Sequence, residues 1–171
     1  MPTTDFDSEL SALEKRLTDF IKGNDKLENM FKKKRQEFET INSGLWEGKK
    51  MYEESQKELK KEKDPKKIKA LAEEIEETEK TFKKMTAKLD GIVKELSGMG
   101  TTGGNLERSI RDEDKALDKM EKDIKRTGGE VKQLKEWDAT MKGLRKSINF
   151  EATRAFTIKD EVKNLPKTPT L

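Results

Sequence analysis

The sequence predicts an all-α protein, an elongated antiparallel coiled-coil bundle of three long helices. Charged residues make up 43% of the 171 positions and apolar residues only 30%, so a compact globular core is not expected. The net charge is nevertheless only +3, and the apolar residues recur at intervals of three and four. Narrow apolar seams between wide charged faces satisfy these observations, and such seams are typical of coiled coils.

The first helix is predicted over residues 5–61. Its seam alternates steps of four and three residues from Phe6 to Leu59, with small or polar residues at some positions. Gly23-Asn24-Asp25 has the composition of a helix end followed by a restart, so a break at 23–25 could split this helix. The three predicted helices differ in length, so one end of the bundle is left with an unpaired helical segment. This segment could fold back or pair with a second chain.

A turn is expected near residues 61–65, because Asp64 suits the N-cap and Pro65 the first position of a new helix. The second helix is predicted over 65–97. A glycine-rich loop over 97–105 then ends it, with Asn105 as the next N-cap. This loop matches the pattern G-x-G-x-x-G, but it follows a helix and not a strand, so no nucleotide or other cofactor is predicted.

The third helix is predicted over 105–149, where it completes a bundle domain at residues 1–149. Gly128-Gly129 interrupts it, so a break at 127–129 could raise the number of helices to four or five. Residues 150–171 are expected to form an extended C-terminal tail, because Pro166 and Pro169 are incompatible with helix. Phe150 and Phe156 make this tail too apolar to be fully solvated, and it is expected to pack on the bundle or on a partner.

Catalysis is not expected of this chain. The sequence contains no cysteine and no histidine, which removes thiolate nucleophiles, imidazole bases and the usual zinc ligands. Its many carboxylates fall on charged helix faces, which offer no buried pocket for acid–base catalysis. No catalytic, cofactor-binding or metal-binding residue is predicted. The sequence favours a structural or adaptor protein that acts by protein–protein assembly, through self-association or a hetero-assembly, with no small-molecule substrate.

Five residues are predicted to contact a partner protein. Tryptophan, tyrosine and exposed apolar residues contribute much of the free energy at protein interfaces, and the chain has few aromatic residues. Trp137 lies on the third seam, where it could equally be a core residue. The predicted partner-contact residues are Trp46, Tyr52, Trp137, Leu165 and Pro166.

A basic tip is predicted at the first interhelical turn. Residues 57–69 carry seven lysines against Glu58, Glu62 and Asp64. Such a cluster gives an alternative function, binding to an anionic membrane surface or to nucleic acid. Acidic and basic residues are evenly balanced along the chain, which makes nucleic acid the less favoured of these ligands. The lysines are Lys57, Lys60, Lys61, Lys63, Lys66, Lys67 and Lys69.

The stretch Asn42-Ser43-Gly44-Leu45-Trp46-Glu47-Gly48 resembles the W-x-G signature of the WXG100 secreted proteins, which are small helical hairpins. The resemblance covers seven residues. It implies a second alternative function, that of a secreted helical protein. It also implies that the hairpin turn lies at Trp46–Gly48 and not at 61–65, with helices of about 38, 49 and 45 residues.

The expected location is the cytoplasm. The first residues lack a basic region followed by an apolar one, as a secretory signal would have. Nor does the sequence contain a run of about 20 apolar residues, the length that a membrane span needs.

Overall fold

The protein is all-helical in the computed structural model, which describes residues 4–171. Three long helices pack against each other as a bundle, and 92% of the described residues are helical, with no strand among them. They are α1 (Thr4–Lys61), α2 (Pro65–Thr127) and α3 (Val131–Lys163). The predicted all-α bundle of three long helices is confirmed, although the chain is divided among the helices differently from the prediction.

The chain forms two compact units. The first, here called the bundle unit, takes its described residues from the first 30 positions and from Met99–Lys163. The second, the hairpin unit, comprises Phe31–Gly98 and Asn164–Leu171. The bundle unit therefore contains parts of all three helices, whereas the hairpin unit contains parts of α1 and α2 and the C-terminal tail.

The core of the bundle unit follows the predicted seams. α1 contributes Phe6, Leu10, Leu13 and Leu17, which pack with seam residues of α2 and α3. A bidentate ion pair at 3.0 Å joins Arg16 to the seam carboxylate Glu113, which is why an acidic residue is tolerated at a buried position. The other members of this core are Ile110, Leu117, Met120, Ile124, Trp137, Met141, Leu144, Ile148 and Ala152.

The hairpin unit is held by a second seam between α1 and α2. Lys34 occupies a seam position and pairs with Glu95 of α2 at 2.7 Å, and this hydrogen bond, more than that to Glu37, raises the pKa of Lys34. The buried apolar residues all lie in the part of the hairpin away from the turn, and they are Phe31, Phe38, Ile41, Leu45, Ile75, Phe82, Leu89, Ile92 and Leu96.

The turn between α1 and α2 lies at residues 62–64, as the prediction of a turn near 61–65 required. Asp64 caps α2, because its Oδ1 accepts a hydrogen bond of 3.1 Å from the backbone N–H of Lys66, and Pro65 is the first helical residue. The turn that the WXG100 resemblance implied at Trp46–Gly48 is wrong. α1 passes through that stretch unbroken, because its heptad phase continues through Leu45 and keeps this residue buried.

The prediction of a loop over residues 97–105 is also wrong, because α2 is continuous from Pro65 to Thr127. The glycines of this segment allow α3 to approach closely. A Cβ added at Gly103 would lie 2.8 Å from the carbonyl oxygen of Ala155, and one at Gly100 would lie 3.0 Å from Cγ1 of Val162. Packing against α3 compensates for the low helix propensity of glycine here, so Asn105 lies within a helix and caps none.

The break predicted at residues 23–25 does not occur. Asn24 is 1% exposed, and its amide donates to the backbone carbonyl and the carboxylate of Glu151 at 3.0 and 2.9 Å. Because this side chain bonds to α3 and not to its own backbone, it does not end α1. Gly23 packs against Leu106 as an ordinary helical residue.

The break predicted at residues 127–129 is confirmed, and it separates α2 from α3. Gly128 adopts a φ of 74°, a left-handed conformation that glycine accepts at low cost after the last turn of a helix. Its N–H donates to the carbonyl oxygen of Ile124 at 3.0 Å, which closes α2. The third predicted helix is therefore divided between α2 and α3.

The extended tail is shorter than predicted, because α3 continues to Lys163. Ala152, Ala155 and Ile158 are buried on α3, so small residues extend its packed face beyond residue 149. The two phenylalanines that made the predicted tail too apolar to be fully solvated point outward, with Phe150 65% exposed and Phe156 43% exposed. Of the predicted tail, only residues 164–171 lie outside α3.

A glycine comparison tests the close packing of α2 on α3. Gly103→Ala is expected to lower the free energy of unfolding by about 1–3 kcal/mol, because the new Cβ would force two backbones apart. Gly143→Ala is the control, since a Cβ there meets no atom within 4 Å and removes the helix penalty of glycine, about 1 kcal/mol. Urea denaturation followed by circular dichroism measures both. A Gly103→Ala protein as stable as Gly143→Ala would contradict this packing.

Candidate protein-docking face of the hairpin unit

One side of the hairpin unit is covered by the C-terminal tail. The backbone carbonyl of Lys167 accepts hydrogen bonds of 3.2 Å from the side chains of both Asn42 and Trp46. Pro169 is buried and lies beside Phe82. Of the two predicted locations for the tail, packing on its own chain is therefore the one observed.

Three of the predicted partner-contact residues belong to this covered side. Trp46 remains 46% exposed although its indole N–H is bonded to the tail, and the ammonium of Lys49 lies 5.7 Å from its ring centroid. Leu165 is half-buried and Pro166 is exposed. Their contact with a partner stays a prediction.

The other side of the hairpin unit is an open apolar groove of about 440 Å³. Gly44 and Gly48 lie two residues from Asn42 and Trp46, which turns them about 200° around α1 and away from the tail. The groove runs between the two helices, and we call this side the open face. Its lining residues are Gly44, Leu45, Gly48, Glu74, Glu77, Thr78, Thr81, Phe82 and Met85.

The apolar seam becomes more accessible between the groove and the turn. Met51, on the same helical stripe as Gly44 and Gly48, is 60% exposed. No third helix belongs to this unit, and two helices alone do not shield a seam from water on both sides. The seam positions beyond the groove are all half-buried, and they are Tyr52, Ser55, Leu59, Ile68 and Leu71.

Gly44 and Gly48 differ from Gly100 and Gly103 of the bundle unit in having no close neighbour. A Cβ at Gly44 would meet nothing within 4 Å, and one at Gly48 would only touch a ring atom of Phe82 at 3.9 Å. Each glycine costs about 1 kcal/mol relative to alanine inside a helix, and here no packing within the chain compensates. Sequence reasoning missed these two residues as docking candidates, although their spacing of one helical turn beside the seam was visible.

A band of seven glutamates, here called the acidic collar, lies between the groove and the turn. Residues 51–56 and 71–79 contain no lysine and no arginine, and all seven glutamate side chains are exposed. Two of them, Glu74 and Glu77, also line the groove. The collar consists of Glu53, Glu54, Glu73, Glu74, Glu76, Glu77 and Glu79.

The basic tip lies next to the collar at the turn of the hairpin. All seven of its lysines, Lys57, Lys60, Lys61, Lys63, Lys66, Lys67 and Lys69, are exposed. Within residues 4–171 none of them forms an ion pair of 4.0 Å or less. The three carboxylates at residues 58, 62 and 64 leave the tip with a net charge of +4. The hairpin unit thus carries two neighbouring zones of opposite charge on one pair of helices.

Tyr52 marks the boundary of the collar. Its hydroxyl donates to Oε1 of Glu79 across the hairpin at 2.8 Å and accepts from Nε2 of Gln56 at 3.0 Å. The hydrogen bond to Glu79 raises the pKa of Tyr52, with smaller contributions of the same sign from burial and from the negative charge of that carboxylate. Tyr52 therefore links the two helices and remains accessible at its edge.

Trp137, the fifth predicted partner-contact residue, lies in the bundle unit. It is buried, its ring packs edge-on against Phe6 at 5.3 Å, and its indole N–H donates to Asp7 at 2.7 Å. Trp137 is therefore a core residue in the structure. This is the alternative to partner contact that its position on the third seam had allowed.

The bundle unit also holds a buried carboxylate that is fully occupied by structural partners. Glu151 accepts from Asn24 and forms an ion pair of 2.9 Å with Arg154, which also bonds Asp25 and Glu28. Burial lowers the pKa of Arg154, but the hydrogen bonds to Glu28, Asp25 and Glu151 together outweigh it and raise this pKa. Because the cation is held charged among acceptors, this cluster serves to join α3 to α1.

The titration of Tyr52 tests the bond across the hairpin. Tyr52 is the only tyrosine, so the tyrosinate absorbance reports it alone. Its midpoint is expected above the ordinary value of about 10, and Glu79→Gln should bring it down. Since the pKa is raised in the folded state, the bond contributes stability below the unfolded pKa and loses it as the pH rises through the folded one. Glu76→Gln, one turn away, is the control, and an unshifted midpoint in Glu79→Gln would exclude the bond.

Comparison of the chain with protein-family models, with curated proteins and with solved structures finds no match. Among residues 4–171, no helix is both long and apolar enough to cross a membrane. The same residues contain no group of three or more His, Cys, Asp or Glu side chains placed to hold a metal ion. A functional assignment for this chain therefore depends on its own surfaces.

Proposed function

We propose that this protein is a non-enzymatic structural or adaptor protein that assembles with other helices through the open face of its hairpin unit. The observation that supports this most directly is the apolar groove of about 440 Å³ on the side of the hairpin that the tail does not cover. We place this assembly in the cytoplasm, since a chain without cysteine gains no disulfide from an oxidising compartment.

The groove favours a helical occupant. It runs between two helices, as do the grooves that accept an amphipathic helix in other recognition modes, and the glycines at its wall let another backbone approach closely. Met51 and the half-buried seam beyond the groove would lose contact with water in such a complex, which is the main source of association free energy.

The charge at the rim narrows the class of occupant further. Glu74 and Glu77 line the groove within the acidic collar, where no basic side chain of the chain's own sequence intervenes. An occupant with lysines or arginines beside an apolar stripe would pair with these carboxylates, whereas an acidic helix would be repelled. We therefore propose a basic amphipathic helix as the partner.

Binding of a defined peptide tests this proposal. We use a synthetic amphipathic helix with a leucine stripe flanked by lysines, labelled for fluorescence anisotropy. Gly44→Ala with Gly48→Ala should weaken its binding to the full chain by about tenfold or more, since two methyl groups hinder close approach. The same pair should stabilise the free protein by up to about 2 kcal/mol, because it removes two helical glycines.

Gly91→Ala is the matched control. It lies on α2 in the same unit, a Cβ there meets nothing within 4 Å, and the residue does not line the groove. This variant should gain stability in the same way and bind the peptide as the unmodified protein does. Equal affinities in all three proteins, or no binding at all, would contradict docking in the groove.

The basic tip supports a second candidate function, contact with an anionic membrane surface. Its seven exposed lysines carry a net charge of +4 together with their acidic neighbours, and each lysine near such a surface contributes about 1 kcal/mol. The adjoining collar opposes this attraction, because six of its seven carboxylates lie within about 12 Å of a lysine of the tip along the same helix. Nucleic acid would be opposed in the same way and is the less favoured ligand.

Co-sedimentation with vesicles distinguishes this candidate. If the tip binds membranes, vesicles containing phosphatidylserine should retain the protein at low salt, vesicles of phosphatidylcholine alone should not, and about 0.5 M salt should release it because the screening length becomes short. Lys60→Glu with Lys67→Glu should abolish retention, while Lys132→Glu with Lys135→Glu on α3 should not. Equal retention of both double variants would exclude the tip as the membrane contact.

A further inference from the structure

We propose that the side of the hairpin unit beneath the C-terminal tail is a second peptide-binding site, which takes an extended, proline-containing segment of another protein in place of the tail. We call this surface, formed by Asn42, Trp46 and Phe82, the tail site. The inference goes beyond the proposed function, because it concerns the side of the hairpin away from the open face and a different class of ligand.

The tail site binds the backbone of its ligand. Two donors from one side of α1, the amide of Asn42 and the indole N–H of Trp46, converge on the carbonyl oxygen of Lys167, each at 3.2 Å. Every residue of a peptide carries such a carbonyl, so these two bonds do not depend on the ligand's side chains. Docking of an extended proline-containing segment beside aromatic rings is an established mode of peptide recognition. A segment from another chain can therefore supply what the tail supplies here.

Proline is the one tail side chain that the site buries. Pro169 is buried beside Phe82, whereas Leu165 is half-buried and the six other residues of the tail are exposed. Proline fixes its own φ and keeps the residue before it extended, so such a segment loses little conformational freedom when it docks. The site therefore selects a proline and leaves most other positions of the ligand unconstrained.

The tail does not satisfy the site completely. Oδ1 of Asn42 and Oγ1 of Thr86 are both buried, and neither has a hydrogen-bond partner among residues 4–171. Asn42 is only 7% exposed. An open cavity of about 410 Å³ also remains between α2 and the tail, with Thr86 and Pro169 in its lining. An unpaired buried polar group is costly, so a segment that brings a donor to either atom and fills the cavity binds more tightly than the tail.

The tail competes with any such segment because it belongs to the same chain. A tethered ligand acts at an effective concentration of about 1 mM. A free segment therefore displaces the tail only when its own affinity for the site is higher or its concentration is comparable. The tail thus sets the affinity that a partner must exceed.

Competition between the tail and a free peptide tests the proposal. The probe is a fluorescent peptide with the sequence of residues 165–171, and its anisotropy is measured with the full-length chain. Pro169→Asp should release the tail, because a carboxylate is unfavourable against Phe82. This chain should bind the peptide about tenfold more tightly than the unmodified chain, in which the tail competes. Equal affinities, or no binding by either chain at about 1 mM, would overturn the proposal.

Two further peptides test which features of a ligand the site recognises. One keeps the leucine and both prolines and has alanine at every other position, and it should bind the Pro169→Asp chain within about threefold of the first peptide, since the replaced side chains are exposed in the tail. The other has alanine only in place of the proline that corresponds to Pro169, and it should bind at least about tenfold more weakly. If only the peptide with the tail's own sequence binds, a segment of another protein is rejected as the ligand.

A substitution in the site completes the experiment. In the Pro169→Asp chain, Trp46→Phe keeps an aromatic ring but removes the indole donor, so it should weaken peptide binding about threefold to tenfold, as loss of one hydrogen bond does. Thr40→Val is the matched control. It also removes one side-chain hydrogen bond, to the carbonyl of Gln36 on its own helix, but Thr40 is exposed and lies about 200° around α1 from Asn42. Thr40→Val should leave the affinity unchanged, and an unchanged affinity in Trp46→Phe would overturn the tail site.

Discussion

The close contact between the glycines of α2 and the small residues of α3 determines which helices pack together in each unit. At Gly103 and Ala155 the two helices are so close that a single added methyl group would collide with a backbone oxygen. This approach makes a glycine-rich segment more favourable as helix than as loop, because close packing adds dispersion contacts that offset the conformational cost. It also confines α3 to the bundle unit, which leaves the hairpin unit with two helices and a short tail.

A unit of two helices leaves more of its apolar seam accessible to water than a unit of three helices does. The seam residues of the hairpin near the turn are only half-buried, and the tail covers less of the seam than a third helix would cover. The tail occupies the side that carries Asn42 and Trp46, and the groove beside Gly44 and Gly48 stays open. The open face is therefore the side of the hairpin that residues 164–171 do not cover.

The sequence predicted most of the apolar seams, but it did not predict which of the segments that carry them would form one continuous helix. The turn at Asp64-Pro65 followed from capping chemistry, and the break at Gly128-Gly129 followed from the low helix propensity of glycine. The helix through residues 97–105 was not predicted, because the glycines of this segment suggested a loop. The heptad phase nevertheless continues through it, at Leu96, Met99, Gly103 and Leu106. What the glycines pack against lies some 50 residues away, and propensity carries no information about such contacts. For the same reason Trp46, Tyr52 and the lysines could be located on helices, whereas the groove opposite the tail required the positions of both helices.

Buried polar residues distinguish the two units in a way that bears on partner choice. In the bundle unit, Asn24 and Glu113 occupy seam positions and each has a specific partner on another helix, so any shift in register would leave a buried polar group unpaired. In the hairpin beyond Leu45 the described seam has no such buried polar residue, and specificity there depends on exposed charges. Exposed pairs exchange at little cost, so the bundle unit is suited to a permanent fold and the end of the hairpin to a contact that forms and dissociates.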